Sequence, residues 1–491
     1  MKNRTLSKLT VSAVSLLAAA SLALTACAGA SGTATATAQT ESQSIETEAP
    51  ETTEAVTQTE GTVETTEETE TTAVSILSEE DITVNETINN EADGEHAIEV
   101  SDESASYSNI KVEKTGDSNS GDEADFYGEN SAIFASDGAT LDLTEIVIDT
   151  DGTHANAVFS YGEGTTVNIS DSVITTSGNC SGGLMTTGGG TMNAENLTIH
   201  TTGNSSAAIR SDRGGGTVTV TGGSYTTDGT GSPVIYSTAD ITVNDAVLES
   251  TASQGVVVEG KNSVTLNNVE LIADNNTKNS DKSEWYQAVM IYQSMSGDAA
   301  EGASYFTMDG GSLTNKNGDI FFVNNTVTTI TLSDADIVNE DENGVFLRAE
   351  AAGWGNEGSN GGQVTLNASG QVINGDMIVD EVSNLNLYLS DGSEFSGAIN
   401  SDGQAGEVYV EISSGAKWVL TGDSYITSLT CDEDSIDLNG HTLYVNGAAY
   451  EAGTASEGEA IEVVVSSGGG MGGPPDMPGG NGGEPPAKPG E

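Results

Sequence analysis

Positive charge is nearly missing from this chain. Its 491 residues carry 14 lysines and arginines against 75 aspartates and glutamates, for a net charge of −61. Such a surface argues against nucleic acid and anionic membrane as electrostatic partners. It suits solubility, and it suits cations, calcium above all, or cationic surfaces. Aromatic residues are scarce at 5%, and hydrophobics stand at 35%. That is too apolar and too patterned for a wholly disordered chain. Long runs of helical periodicity are absent, which argues against a helical architecture. Cysteine is limited to Cys27, Cys180 and Cys431. Roughly ten coils of the repeat described below separate the last two, or about 48 Å at the strand spacing of a sheet. A disulfide needs alpha carbons within about 7 Å, so Cys180 and Cys431 are not expected to bridge. The four histidines, His96, His154, His200 and His441, are scattered and do not suggest zinc.

What the chain does have is a repeat. Ile209 has apolar counterparts at Ile133, Val158, Leu184, Val234 and Val256, and Ile320 and Val345 resume the step. A second anchor runs through Leu141, Val167, Met192, Val218, Ile241, Val264, Phe306, Ile330 and Val364. Seven residues after all but the last of these come Ile148, Ile174, Ile199, Tyr225, Leu248, Leu271, Leu313 and Ile337. Valine, isoleucine and threonine dominate these segments, and turn residues separate them. The pattern predicts an all-β solenoid, a parallel β-helix with three short strands per coil of about 25 residues. It would span residues 76–465 in roughly fourteen coils, given that repeat length. Two insertions interrupt the rhythm, Ala273–Gln287 with Trp285 and Ala349–Gly362 with Trp354.

The ends differ in kind. Lys2, Arg4 and Lys8 precede a largely apolar run from Leu9 to Leu24, followed by Thr25-Ala26-Cys27. This resembles a bacterial lipoprotein signal peptide over residues 1–26. The resemblance implies cleavage before Cys27, lipidation of its sulfur and anchoring at the extracellular face of the cell membrane. Residues 27–75 are almost entirely Thr, Glu, Ala, Ser and Gln, and read as a self-repelling disordered stalk. Residues 466–491 are rich in glycine and proline and read as a disordered tail.

The three-strand coil resembles the pectin-lyase-like right-handed parallel β-helix. With the lipobox, the acidic stalk, the stretches DEADFYGENSAIFASDGAT and SSAAIRSDRGGGTVTV and the tail GGPPDMPGG, the chain also resembles Firmicutes surface lipoproteins with a β-helical carbohydrate-binding domain. That resemblance implies an extracellular polysaccharide or another cell-surface component as partner, bound without turnover. Adhesion to surface proteins is the second expectation, and a pectin-type lyase or hydrolase the third.

The first strand of each coil is where a ligand is expected. If Ile209 faces inward, one outward row is Phe134, Phe159, Met185, Arg210, Ile235, Val257, Met290, Phe321 and Phe346. The next outward row is Ser136, Tyr161, Thr187, Asp212, Ser237, Glu259, Tyr292, Val323 and Arg348. Three of the four arginines, Arg210, Arg213 and Arg348, lie on or beside this strand, with Lys261 nearby. The expected site is a groove holding Tyr161, Arg210, Asp212, Arg213, Glu259, Lys261, Tyr292 and Arg348, walled by the Trp285 loop on one side and by the Trp354 loop on the other. Aromatic rings would stack on sugars, and Arg210 or Arg213 would pair with uronate carboxylates. In the catalytic alternative Asp212 and Glu259 act with Arg213, the two carboxyls lying about 9.6 Å apart at the strand spacing. No lyase or hydrolase motif accompanies them. Calcium is a candidate ligand of Asp122, Glu123, Asp125 and Asn130, oxygen donors in what reads as a glycine-flanked turn.

Overall fold

The computed structural model describes residues 76–403 and 406–463. The residues expected to form a signal segment, a stalk and a tail, with Cys27, lie outside these residues. The described chain is a parallel β-helix. Alternation of inward apolar and outward polar side chains lets each strand bury one face in a shared core, and the backbone groups pair with the rungs on either side. Ile133 pairs with Val158, Val158 with Leu184, and Leu184 with Ile209. The second anchor stacks from Leu141 through Val218 to Ile330, and the third from Ile148 through Tyr225 to Ile337.

First strands form an 11-stranded parallel sheet running from Ile98–Ser101 to Met377–Val379. Second and third strands merge into one 21-stranded sheet, because Ser104–Lys114 and Thr140–Thr150 run unbroken through the corner between them. That corner is marked by a residue with positive φ in each rung, such as Asn109, Glu145, Asp171, Asn196, Asp245 and Asn268. Asn and Asp tolerate this left-handed conformation better than most residues. Their side chains then bond along the stack. Asn196 donates to Asp171 at 2.7 Å, and Asn268 to Asp245 at 2.8 Å. Asn267 donates likewise to Asn244 of the preceding rung at 2.8 Å.

Four anchors differ from the positions that a fixed repeat predicts. Ile209 pairs with Ile235, not Val234, and Ile235 with Val256. Val289 pairs with Phe321, and Phe321 with Leu347, so Ile320 and Val345 are each displaced from the anchor position. Ile330 pairs with Leu366 rather than Val364. Core packing explains the Phe321 register: its ring lies between Phe306 and Phe346, at 5.5 and 5.6 Å between centroids. Turns of unequal length absorb the offsets, so a fixed count misses them.

The corner after the third strand is built on glycine. A Cβ on Gly178 would lie 1.9 Å from the carbonyl oxygen of Gly152. One on Gly203 would lie 1.9 Å from that of Gly178, and one on Gly229 1.8 Å from that of Gly203. Hydroxyls lock the same corner: Thr176, Thr201 and Thr227 donate to the carbonyls of Ser181, Ser206 and Ser232 at 2.5–2.6 Å. At the far end Leu443–Val445 pairs antiparallel with Ala448–Ala449, which stops the parallel register from propagating. Cys431 is a free, buried thiol, so it does not bridge to Cys180.

The acidic run predicted as a turn is instead a helix, α1, Gly121–Tyr127, closed by Gly128 at φ 84. Its inner side buries Ala124, Asp125 and Phe126. A Cβ on Gly128 would stand 2.4 Å from the Phe134 ring, so only glycine lets the helix end this close to the sheet.

Candidate functional site

The corrected register rewrites the outer face of the first sheet. Pairing aligns Phe134, Phe159, Met185, Arg210, Tyr236, Val257, Met290, Phe322 and Arg348 in one outward row. Tyr236 therefore replaces Ile235, Phe322 replaces Phe321, and Arg348 moves into this row. Phe346, expected outside, is in the core. In the next row Tyr161 pairs with Thr187, and Glu259 with Tyr292, which in turn pairs with Asn324 rather than Val323.

Both ends of the row are covered. Helix α1 lies over one end, where Phe134, Phe159 and Met185 pack together with Tyr161. Thr187 donates to the carbonyl of Phe126 at 2.8 Å, and Tyr161 packs edge-on to Tyr127 with centroids 5.9 Å apart. Over the other end, Val257, Met290, Tyr292, Phe322 and Trp354 form one buried cluster. Trp354 is not on a wall opposite Trp285. The two insertions meet instead: the Gly353 amide donates to the Lys282 carbonyl at 2.7 Å. Arg348 stacks on the Trp285 ring at 3.7 Å and binds Asp319 at 2.6 Å and Glu350 at 3.2 Å.

The arginines expected to meet uronates already pair inside the protein. Arg210 is 7% exposed, and its Nη2 lies 2.8 Å from Asp212 and 3.4 Å from Asp125 of α1. His154 Nδ1 stands 3.3 Å from the same Asp125. Burial works against the Arg210 charge, but Asp125 and Asp212 outweigh it and hold the guanidinium above its ordinary value. Burial also works against the Asp125 charge, and Arg210 and His154 overcome it, leaving that carboxyl below its usual range. For Asp212 burial wins over Arg210, and its pKa is pushed up to about 7. Arg213 binds Asp298 at 2.6 Å and stacks on Phe126 of α1 at 3.8 Å. Asp298 belongs to a third interruption, after Tyr292, that the sequence reading did not separate from its strand.

Glu259 is buried, and its Oε2 accepts from the hydroxyls of Tyr236 and Tyr292, the latter at 2.8 Å. Burial, then Glu259, raises both phenols well above their ordinary range. Asp212 and Glu259, the proposed acid–base pair, are thus tied to Arg210 and to two tyrosines. Lys261, just after Glu259 in the chain, is exposed. The proposed calcium ligands do not face one point. Asp122 is exposed, Asp125 is committed to Arg210 and His154, and Asn130 donates to the carbonyls of Gly116 and Thr153. Among the described residues no three His, Cys, Asp or Glu side chains are grouped to hold a metal ion.

Between the two covered ends the row opens into adjoining hollows. One, of 480 Å³ including its mouth, is lined by Arg210, Tyr236, Val257, Met290, Ala207 and Pro233, with the Ser205, Gly231 and Gln254 turns. The second, of 410 Å³, shares Gly231, Gln254 and Met290 and is lined further by Lys278, Trp285, Tyr286, Gln287 and Trp354. Two buried polar atoms of these linings have no hydrogen-bond partner: Arg210 Nη1, a donor, and Gln287 Oε1, an acceptor. Of the residues expected from sequence, Arg210, Trp285 and Trp354 line the hollows. Tyr236, Gln254, Tyr286, Gln287 and Pro233 were missed. Tyr236 was hidden by the one-residue offset at Ile235, and Gln287 lay inside an insertion with no counterpart in other coils. Comparison of the chain with protein-family models, with curated proteins and with solved structures returns no match.

Proposed function

We propose that this protein is a lipid-anchored surface protein that binds an extracellular polysaccharide on the outer face of its first sheet, without turning it over. One observation carries the reading: adjoining hollows with an apolar floor and four aromatic side chains in their lining, plus a buried unpartnered donor and acceptor. Sugars present that mixture, with C–H faces for aromatic rings and hydroxyls that both donate and accept. Anchorage through Cys27 and a long acidic stalk would hold the β-helix clear of the membrane, where a polymer can reach it. The carboxyl pair of the hydrolytic alternative does not line either hollow, and its members are occupied by Arg210, Tyr236 and Tyr292. The test is a pull-down of the purified protein on a panel of insoluble and immobilised polysaccharides. Reducing ends and unsaturated uronate absorbance are followed in parallel. Retention on at least one polymer with no new product is expected. Product formation, or retention on none, overturns the reading.

A further inference from the structure

Charge in and behind the first hollow discriminates among sugars. Arg210 is the guanidinium that lines it, and its positive charge is already matched by Asp125 and Asp212. Glu259 stands behind Tyr236, and Asp298 behind Arg213. Even with Asp212 holding its proton, the three carboxyl groups of Asp125, Glu259 and Asp298 thus face two guanidinium groups. A carboxylate entering here would meet surplus negative charge at low dielectric, where repulsion is strongest. A neutral acceptor would not, and Arg210, which borders the hollow, has a buried Nη1 without a hydrogen-bond partner. Leaving such a buried donor unpaired is costly, so a ligand that satisfies it is rewarded. Beside Arg210 the lining is small and apolar: Ala207, Pro233, Val257 and Met290. A carbonyl oxygen next to a methyl group matches a donor next to an apolar floor.

We infer that this hollow is an acetamido pocket, and that the bound polysaccharide is neutral and bears N-acetylhexosamine. The acetamido carbonyl accepts from Arg210 Nη1, and its methyl packs on Val257, Pro233 and Ala207. The sugar ring extends toward Trp285 and Gln287 in the second hollow, where Lys278 is already donating to the carbonyls of Ser283 and Glu284. This rests on the polysaccharide-binding reading and narrows it.

The experiment compares four trisaccharides against the purified wild-type protein by calorimetry. They are made of N-acetylglucosamine, N-acetylgalactosamine, glucose and galacturonate. Saturation-transfer NMR then follows the ligands that bind. At least one N-acetylated trisaccharide should bind tenfold or more tightly than the glucose and galacturonate trisaccharides. Its acetyl methyl protons should be the most strongly saturated. Equal or tighter binding of glucose or galacturonate trisaccharide overturns the acetamido pocket and leaves the polysaccharide reading standing. So does a weakly saturated methyl on an N-acetylated ligand. Binding of none of the four overturns the pocket too, while retention on a polymer in the pull-down would still uphold the broader reading. The near-isosteric substitution Val257→Thr, which puts a hydroxyl on the floor, should cut affinity for the preferred N-acetylated trisaccharide at least threefold. An unchanged affinity there counts against the pocket.

Discussion

Asp212 illustrates how one buried side chain sets a measurable property. Its carboxyl has Arg210 at 2.8 Å, with Asp125 and Asp298 also acting on it, and burial pushes its pKa up to about 7. A raised carboxyl pKa means the folded state holds its proton more tightly than the unfolded chain does. The stabilisation is therefore complete below the ordinary value near 3.8 and is lost as pH rises through about 7. Many other acids titrate over the same range, so the contribution is read as a difference. The melting temperature of Asp212→Asn minus that of the wild type should rise between pH 4 and pH 8. A difference that stays flat across that range would contradict the assignment of a protonated Asp212. Arg210 itself was legible as a rare cation in an acidic chain. Its role was not, because the acidic run around Asp125 reads as a glycine-flanked turn, whereas it forms a helix that sets Asp125 against the guanidinium.

Among the elements, the third corner is the least tolerant. Gly152, Gly178, Gly203 and Gly229 lie so close to the carbonyl of the rung below that any side chain must push two rungs apart. Gly138 sits in a turn with nothing within 4 Å of a Cβ, though its φ of 79 disfavours other residues. Gly203→Ala should therefore lower the melting temperature severalfold more than Gly138→Ala, which should cost about 1–2 kcal/mol for its backbone conformation alone. Equal effects in thermal denaturation would mean the rungs can separate locally. The strands were readable because apolar side chains recur in register at Leu141, Val167, Met192 and Val218. The covering elements were not. Helix α1 and the loops carrying Asp298 and Trp354 occur once each, and nothing repeated betrays where they fold. An outward apolar row such as Phe134, Phe159 and Met185 signals that something covers it, and α1 does.

At the scale of the molecule, the β-helix supplies a long ladder of nearly equivalent rungs, and two covers select one stretch of it. α1 closes the face over Phe134 to Arg210, and the joined insertions close it over Phe322 and Arg348. The first hollow lies between the two covers, its lining running from Arg210 through Tyr236 to Val257 and Met290. The three tryptophans of the chain report on this division. Trp418 is buried in the core, stacked on Phe395 and bonded to the Gly397 carbonyl, whereas Trp285 and Trp354 line the second hollow. Trp285 is 40% exposed and available to a sugar face. Intrinsic fluorescence of the purified protein, titrated with oligosaccharide fragments of whichever polymer retains it, therefore reads the site directly. The account predicts a saturable change in emission that falls by half or more in Trp285→Phe. An emission that no retained glycan alters, or a change that survives at full size in Trp285→Phe, would contradict it.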